Sequence, residues 1–195
     1  MSGRPKNFDE TEALERAMDL FWRRGYKGAG ISELLDHIGI SRQSLYDTFG
    51  SKRDLFLRVL VHYRTTQLAR ALETLQAGSG SNLDNVKEVL LFFRTLGEDA
   101  ECRGCLVANS LIEFGPSEDA EITDLLRDAL TRLEHGFQSA LEAAQKEGEL
   151  AATKSPRQIA RALTNAVVGM AVTGRLELGE GGLGDAYVGT LSMLD

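Results

Sequence analysis

The chain has 195 residues, 43% of them hydrophobic, so it can bury a core as one domain or as a small domain followed by a larger one. Only three prolines occur, and long stretches of Ala, Leu, Glu and Arg predict an all-α protein. The sequence shows neither an apolar run long enough to span a membrane nor a signal peptide. We therefore expect a cytoplasmic protein without membrane contact.

The net charge of −7 is unevenly distributed along the chain. Residues 1–56 hold nine Lys or Arg and nine Asp or Glu, so the later residues carry the whole acidic excess. DNA repels a strongly acidic segment but not a neutral one. The first part of the chain is therefore the candidate for DNA contact, with modest non-specific affinity.

The chain begins with a polar leader that carries Arg4 and Lys6. This leader is either a solvated tail or an arm that touches the phosphate backbone or the minor groove of DNA. Apolar residues then repeat at intervals of three and four from Phe8 to Arg24, which predicts a first helix that Gly25 ends. Trp22 lies on the apolar face of this helix and is expected in the core.

Two short helices are predicted between Ile31 and Phe49, separated by Gly39. Ser41 is suited to cap the second helix, and Gly50 to end it. Such a pair with a tight turn is a helix-turn-helix, whose second helix lies in the major groove of DNA. The spacing alone also fits an ordinary helical hairpin.

Polar residues on the second helix favour the DNA interpretation. Arg matches guanine edges, Gln matches adenine, and Ser suits either base. Tyr and Lys side chains can donate to phosphates, which positions a protein on DNA without reading sequence. The predicted DNA-binding residues are Ser41, Arg42, Gln43, Ser44, Tyr46 and Lys52, together with Arg4 and Lys6.

The run G-I-S-R-Q-S-L-Y-D-T-F-G-S-K-R-D-L-F (residues 39–56) resembles the signature of TetR-family transcriptional regulators. The resemblance extends over residues 8–63. It implies a DNA-binding regulator, usually a repressor, in which a three-helix reader precedes a helical bundle that binds a small molecule and dimerises. Ala29-Gly30 stands where many members carry Thr or Ser, so one hydroxyl contact to phosphate is missing.

The rest of the chain is predicted to add long helices, for a total of about nine. We expect them at Lys52–Gln76, Asn82–Leu96, Gly104–Phe114, Glu118–Glu147, Ser155–Leu178 and Leu183–Leu194. The expected domains are a helix-turn-helix domain at residues 1–55 and an effector-binding and dimerisation domain at residues 56–195.

The penultimate helix is small and apolar on nearly all sides, so it must be buried. Burial against a second copy is the expected solution, and the resemblance likewise implies a dimer through the last two long helices. The predicted interface residues are Ala166, Val167, Met170 and Thr173. A two-fold dimer requires a palindromic operator with half-sites one helical turn, or a multiple of it, apart.

The resemblance also implies a mostly apolar cavity for an effector. The candidate lining residues are Phe92, Phe93, Cys105, Asn109, Ile112, Glu113 and Phe137, although each also fits ordinary core. The segment R-G-C-L-V-A-N-S-L-I-E-F (residues 103–114) resembles one branch of the family, and some members sense electrophiles or oxidants through a cysteine. Cys105 at a helix start would have a favoured thiolate. It also fits as a small packing residue.

Two other sequence motifs lack the structural surroundings that their usual functions require. The G-x-G-x-x-G run at residues 179–184 follows no predicted strand, and the C-x-x-C formed by Cys102 and Cys105 lacks a second ligand pair for zinc. We expect neither metal nor cofactor, and no enzyme activity. Two alternatives remain: a helical enzyme or carrier with a purely structural hairpin, and a protein-interaction module.

Overall fold

The computed structural model describes residues 8–77, 80–98, 103–115, 119–176 and 181–195. Every regular element in these ranges is a helix, which confirms the all-α prediction. The helices are α1 (Glu10–Gly28), α2 (Ile31–Ile38), α3 (Arg42–Phe49), α4 (Lys52–Tyr63), a π-helical segment (Arg64–Leu68), α5 (Ala69–Gln76), α6 (Asn82–Gly97), α7 (Leu106–Phe114), α8 (Ala120–Lys146), α9 (Pro156–Thr173) and α10 (Gly182–Leu191). Because α4, the π-helical segment and α5 form one continuous rod, the described residues contain nine helices, as predicted.

Serine side chains fix several helix starts. The hydroxyl oxygens of Ser41, Ser51 and Ser155 each accept a backbone N–H three residues later, at 3.1, 3.1 and 3.4 Å. These bonds satisfy donors that a helix start otherwise leaves without a partner. Gly30 makes no side-chain cap at the start of α2, so the hydroxyl of Ser or Thr is indeed missing there.

The first three helices and the start of α4 form the reader. Helix α1 packs across α2 and α4, and its Phe21 is fully buried together with Leu34 of α2 and Leu45 of α3. Gly25 interrupts α1 with a φ of 73°, and one more turn then reaches Gly28. The regular part of α1 therefore ends at the glycine that the sequence indicated.

The remaining helices form the bundle, in which α8 packs along α9 and α6 packs against both. The reader and the bundle share one continuous core. Helix α9 ends at Thr173, earlier than the predicted Leu178, which lies outside the described residues. Gly174 caps it and lies so close to the Gly97 backbone that an added Cβ would collide with it.

The π-helical segment interrupts the rod within the bundle, where it packs against α8. A π turn removes the usual i to i+4 bonds and leaves carbonyl groups in need of partners. The hydroxyls of Thr65 and Thr66 donate to the His62 carbonyl oxygen at 3.1 and 2.8 Å. Threonine side chains within the segment therefore add hydrogen bonds to a backbone acceptor beside the π turn.

Candidate nucleic-acid interface and ligand cavity

Helix α3 presents a polar face to solvent. Arg42, Gln43 and Tyr46 are all exposed on this face, Tyr46 with 43% of its surface. On the opposite side, Leu45 and Phe49 are 0% and 2% exposed. The core therefore holds α3 rigidly while its polar side chains remain accessible to base edges and phosphates.

The two predicted serines are partly engaged within the helix cap. The Ser41 and Ser44 hydroxyl oxygens lie 2.9 Å apart, and Ser41 also accepts the Ser44 backbone N–H. Asp47 was missed by sequence reasoning, yet it is exposed one turn after Gln43. Asp47 follows Gln43 by four residues, and this helical spacing could have placed it on the same face of α3. A carboxylate can accept a hydrogen bond from cytosine.

Lys52 lies beside the reader, at its seam with the bundle. Its ammonium lies 4.6 Å from the centroid of the Tyr26 ring, an attractive cation–π arrangement. Burial lowers the pKa of Lys52, while the Glu113 carboxylate acts in the opposite direction. The other predicted DNA contacts, Arg4 and Lys6, lie outside the described residues, as does Cys102.

A cavity lies inside the bundle, beside the π-helical segment. Its free space is about 30 Å³, room for roughly two water-sized groups. Its wall is mostly apolar, and the described lining residues include no charged side chain. Among the predicted residues, Phe92, Phe93 and Cys105 line it, and the structure adds Tyr63 and Gln67.

Tyr63 and Cys105 form a polar pair in this wall. The Tyr63 hydroxyl oxygen and the Cys105 sulfur lie 3.4 Å apart, and both residues are buried. Burial raises the pKa of the Tyr63 phenol well above its usual range, and neighbouring Cys105 adds to this effect. The phenol therefore stays protonated at neutral pH. Sequence reasoning did not single out Tyr63, although a tyrosine at an apolar position carries a hydroxyl that needs a hydrogen-bond partner.

Four predicted lining residues lie elsewhere. Ile112 is 70% exposed on the outer side of α7, and Phe137 is fully buried in the core away from the cavity. The Asn109 amide nitrogen donates to the Arg103 carbonyl oxygen at 2.8 Å, and its oxygen accepts from Arg175. The Glu113 side chain faces α1. These four residues therefore do not line this cavity, because the periodicity of α7 and α8 does not identify which neighbours their side chains meet.

Two predicted interface residues lie inside the single chain. Val167 and Met170 are each 2% exposed within the single chain, and Val167 lines the cavity. The apolar inner side of α9 is thus buried by its own bundle. Asn165 and Gly169 are exposed on the other side, with Ala166 and Thr173 half-buried at its margins.

Two carboxylate clamps join the reader to the bundle. The backbone N–H of Tyr26 donates to Glu113 at 2.7 Å, and the N–H of Lys27 donates to the other oxygen of the same carboxylate. Arg53 at the start of α4 binds Asp119 at 2.5 and 2.8 Å. These hydrogen bonds to Arg53 lower the pKa of Asp119 to about 2.

The described residues contain no group of His, Cys, Asp and Glu side chains arranged to hold a metal ion. None of the helices in the described ranges has the length and apolarity needed to cross a membrane.

Two family models match the chain. The model for bacterial regulatory proteins of the tetR family covers residues 13–59, which include the helix-turn-helix. The model for the C-terminal domain of tetracyclin repressor-like proteins covers residues 83–184, more than half of the chain. The chain belongs to the TetR family.

Individual relatives agree with this membership. The TetR-family chain is 37% identical over 149 residues to the HTH-type transcriptional regulator YezE of Bacillus subtilis (strain 168), covering 76% of each protein. It is 27% identical over 177 residues to the HTH-type transcriptional repressor ComR of Escherichia coli (strain K12), covering 89% of this chain and 82% of ComR.

A solved structure extends the similarity to nearly the whole fold. A cysteine mutant of the TetR family transcriptional regulator CifR, complexed with 26-bp double-strand operator DNA, superposes with a TM-score of 0.85 at 30% identity. The match covers 97% of this chain and 98% of CifR. These findings confirm that the protein is a TetR-family transcriptional regulator with a helix-turn-helix reader.

Proposed function

We propose that this TetR-family regulator is a homodimeric repressor that binds a palindromic operator through α3. The observation that carries the proposal is the exposed polar face of α3 on a helix anchored in the core by Leu45 and Phe49. Arg42 and Gln43 read base edges, while Tyr46 and Lys52 contact phosphates. Repression is supported by the name of the ComR relative.

The two parts of the chain have different roles in this function. Residues 1–55 read DNA, and residues 56–195 bind the effector and dimerise. Dimerisation is supported by the outer side of α9, where Gly169 is exposed, and by α10, where Val188 is 63% exposed and the nearby Met193 40%. Apolar surface of this kind is stabilised by burial against a second copy. Two readers related by two-fold symmetry would require a palindromic operator, and the distance between them would set the spacing of its half-sites.

The effector that fits the proposal is small, uncharged and largely apolar. Among the described residues, the cavity wall offers only a phenol, an amide and a thiol as polar groups, so a charged ligand would lose its hydration without gaining a partner. A ligand larger than the free space must push the wall apart. If the expanded form holds its two readers at the wrong distance, ligand binding shifts the population away from DNA.

Modification of Cys105 is a second route to the same release. The thiol lines the cavity and lies beside Tyr63, so an adduct on the sulfur would occupy the same space as a ligand. We assign the protein no catalytic activity or cofactor, because its family members are transcriptional regulators. A cytoplasmic location is supported by this role, because a repressor acts on chromosomal DNA.

A competition DNA-binding assay tests the proposal. Purified protein is titrated onto the intergenic DNA beside its own coding region with excess unrelated DNA, before and after thiol alkylation. Arg42→Ala and Gln43→Ala should each reduce discrimination between operator and scrambled DNA by about 1–3 kcal/mol. Lys52→Ala should weaken binding to all sequences alike.

Arg127→Ala provides a matched control, because Arg127 is an exposed arginine on α8 in the acidic half of the chain. It should leave both affinity and discrimination unchanged. If the two reader variants retain wild-type discrimination, α3 does not read the operator. DNA affinity that depends on salt but never on sequence would instead favour a carrier or enzyme with a structural hairpin.

A further inference from the structure

Trp22 is a side chain of the reader helix α1 that packs against residues at and beside the cavity wall. Its indole N–H donates to the Gly104 carbonyl oxygen at 2.9 Å in a buried hydrogen bond. Its ring meets the Tyr63 ring edge-on, with the centroids 5.2 Å apart. The Arg103 guanidinium lies 5.1 Å from the same indole ring. Three side chains or backbone groups of the bundle thus hold one side chain of the reader.

Those groups are continuous with the cavity. Gly104 directly precedes Cys105, and Tyr63 and Cys105 both line the cavity. A ligand or a larger side chain that displaces Tyr63 or Cys105 must therefore move the Tyr63 ring, the Gly104 carbonyl, or both. Each of these groups touches Trp22.

The backbone around Gly104 is tightly packed, so its contact with Trp22 is rigid. Gly104 has a φ of +63°, and a Cβ added there would collide with the Ala171 carbonyl oxygen of α9. The Asn109 side chain also fixes the preceding carbonyl, that of Arg103, at 2.8 Å. The segment is therefore packed against α9 and held by α7, so it transmits a displacement instead of absorbing it.

From Trp22 the contacts continue into the helix-turn-helix. Asp19, one turn earlier on α1, has a carboxylate oxygen 3.2 Å from His37 Nε2 on α2. Arg103 also reaches Asp19, at 3.3 Å. Phe21 of α1 packs edge-on against Phe56 of α4 at 4.9 Å. A shift of Trp22 therefore changes how α1 supports α2, and through α2 the reading helix.

We propose that Trp22 is the positioning residue that couples the cavity to the reader, through its hydrogen bond to Gly104 and its contact with Tyr63. This inference rests on the proposed function, since it assumes that the cavity holds the effector. It adds a route through α1 by which ligand binding would shift the population away from the DNA-binding form. The link is a hydrogen bond from the indole N–H to the carbonyl oxygen of Gly104, the residue that directly precedes Cys105 of the cavity wall.

A double-mutant cycle on the full-length protein tests the coupling. Ala108 lines the cavity and is 1% exposed, so Ala108→Val places extra methyl groups in the space that an effector would use. Trp22→Phe keeps an aromatic ring but removes the N–H donor. Ala144→Val adds the same two methyl groups at a fully buried position outside the cavity and serves as the control.

The measured quantity is the operator affinity of each variant. Ala108→Val should weaken binding by at least about fivefold in the wild-type background, the lower range of allosteric coupling. In the Trp22→Phe background the same substitution should change affinity less than about twofold, because the coupling is lost. A merely structural Trp22 would lower stability but leave the effect of Ala108→Val the same in both backgrounds, and that result would overturn the proposal.

Trp22 is the chain's one tryptophan, so its fluorescence provides a second readout that needs no DNA. Ala108→Val should shift the Trp22 emission, whereas Ala144→Val should not. Unchanged emission in folded Ala108→Val protein would contradict the coupling. If the unmodified protein shows no specific operator, the proposed function fails, and the emission comparison still decides whether the cavity acts on Trp22.

Discussion

Replacement of Phe114 by alanine should destabilise the protein by about 3–5 kcal/mol. Phe114 is 5% exposed and belongs to the aromatic cluster at the seam between reader and bundle. Its ring stacks on Phe56 at 5.6 Å and tilts against Tyr26 at 5.1 Å. The change removes two ring contacts worth about 0.5–1.5 kcal/mol each and leaves a cavity between α1, α4 and α7.

The assay is urea unfolding followed by circular dichroism, at one protein concentration because the stability of a dimer depends on it. For a chain of this size the loss corresponds to a melting temperature lower by about 6–20 °C. Ile112→Ala is the control, because Ile112 is 70% exposed on the same helix and should change stability by less than about 0.5 kcal/mol. A loss below about 1 kcal/mol for Phe114→Ala would show that the aromatic cluster does not hold the two parts together.

Two further substitutions test the backbone and the electrostatics of the seam. Gly104→Ala should lower the melting temperature more than Gly148→Ala. Both glycines have a positive φ, which costs alanine about 1–2 kcal/mol. A Cβ at Gly104 would in addition collide with the Ala171 carbonyl oxygen, whereas one at Gly148 would meet open space. An equal decrease in melting temperature for the two variants would contradict the close contact between Gly104 and Ala171. Asp119 has a pKa lowered to about 2 by Arg53, so its stabilising effect is full above its usual value of 3.8 and is lost as pH falls toward about 2. The stability difference between wild type and Asp119→Asn should therefore shrink over that interval in acid titrations, and a difference independent of pH would exclude the ion pair as its cause.

The reader could be predicted almost completely from sequence, because its signals are local. Ser41 and Ser51 cap the helices that they precede, and Gly39 adopts the left-handed conformation that ends α2. The apolar positions Leu45 and Phe49 determine which side of α3 is buried, and Arg42 and Gln43 follow on the other side. Each of these inferences needs only neighbours within one turn of helix.

The cavity could be predicted only in part, because it depends on contacts between distant segments. Phe92 and Cys105 reach it, but Glu113 is used instead to bind the backbone of α1, a partner 86 residues away for Lys27. An apolar period shows that α7 is buried without showing which helix lies on each side. The same limit explains why Val167, expected at a dimer interface, lies inside the protomer.

The π-helical segment carries no pattern that the sequence could reveal. Thr65 and Thr66 are ordinary in a helix interior, and their role appears only once the rod is known to contain a π turn. Trp22 is similar: its apolar spacing predicts burial, but the acceptor of its N–H lies 82 residues later in the chain.

Selection of bound sequences from random double-stranded DNA tests the central claim most directly. A homodimer that reads DNA through α3 should enrich an inverted repeat with half-site centres about one helical turn, or a multiple of it, apart. Arg42→Ala protein should enrich the same spacing with relaxed preference at one position of each half-site. Enrichment of no sequence, or of a motif that is unaffected by changes on the exposed face of α3, would contradict the account.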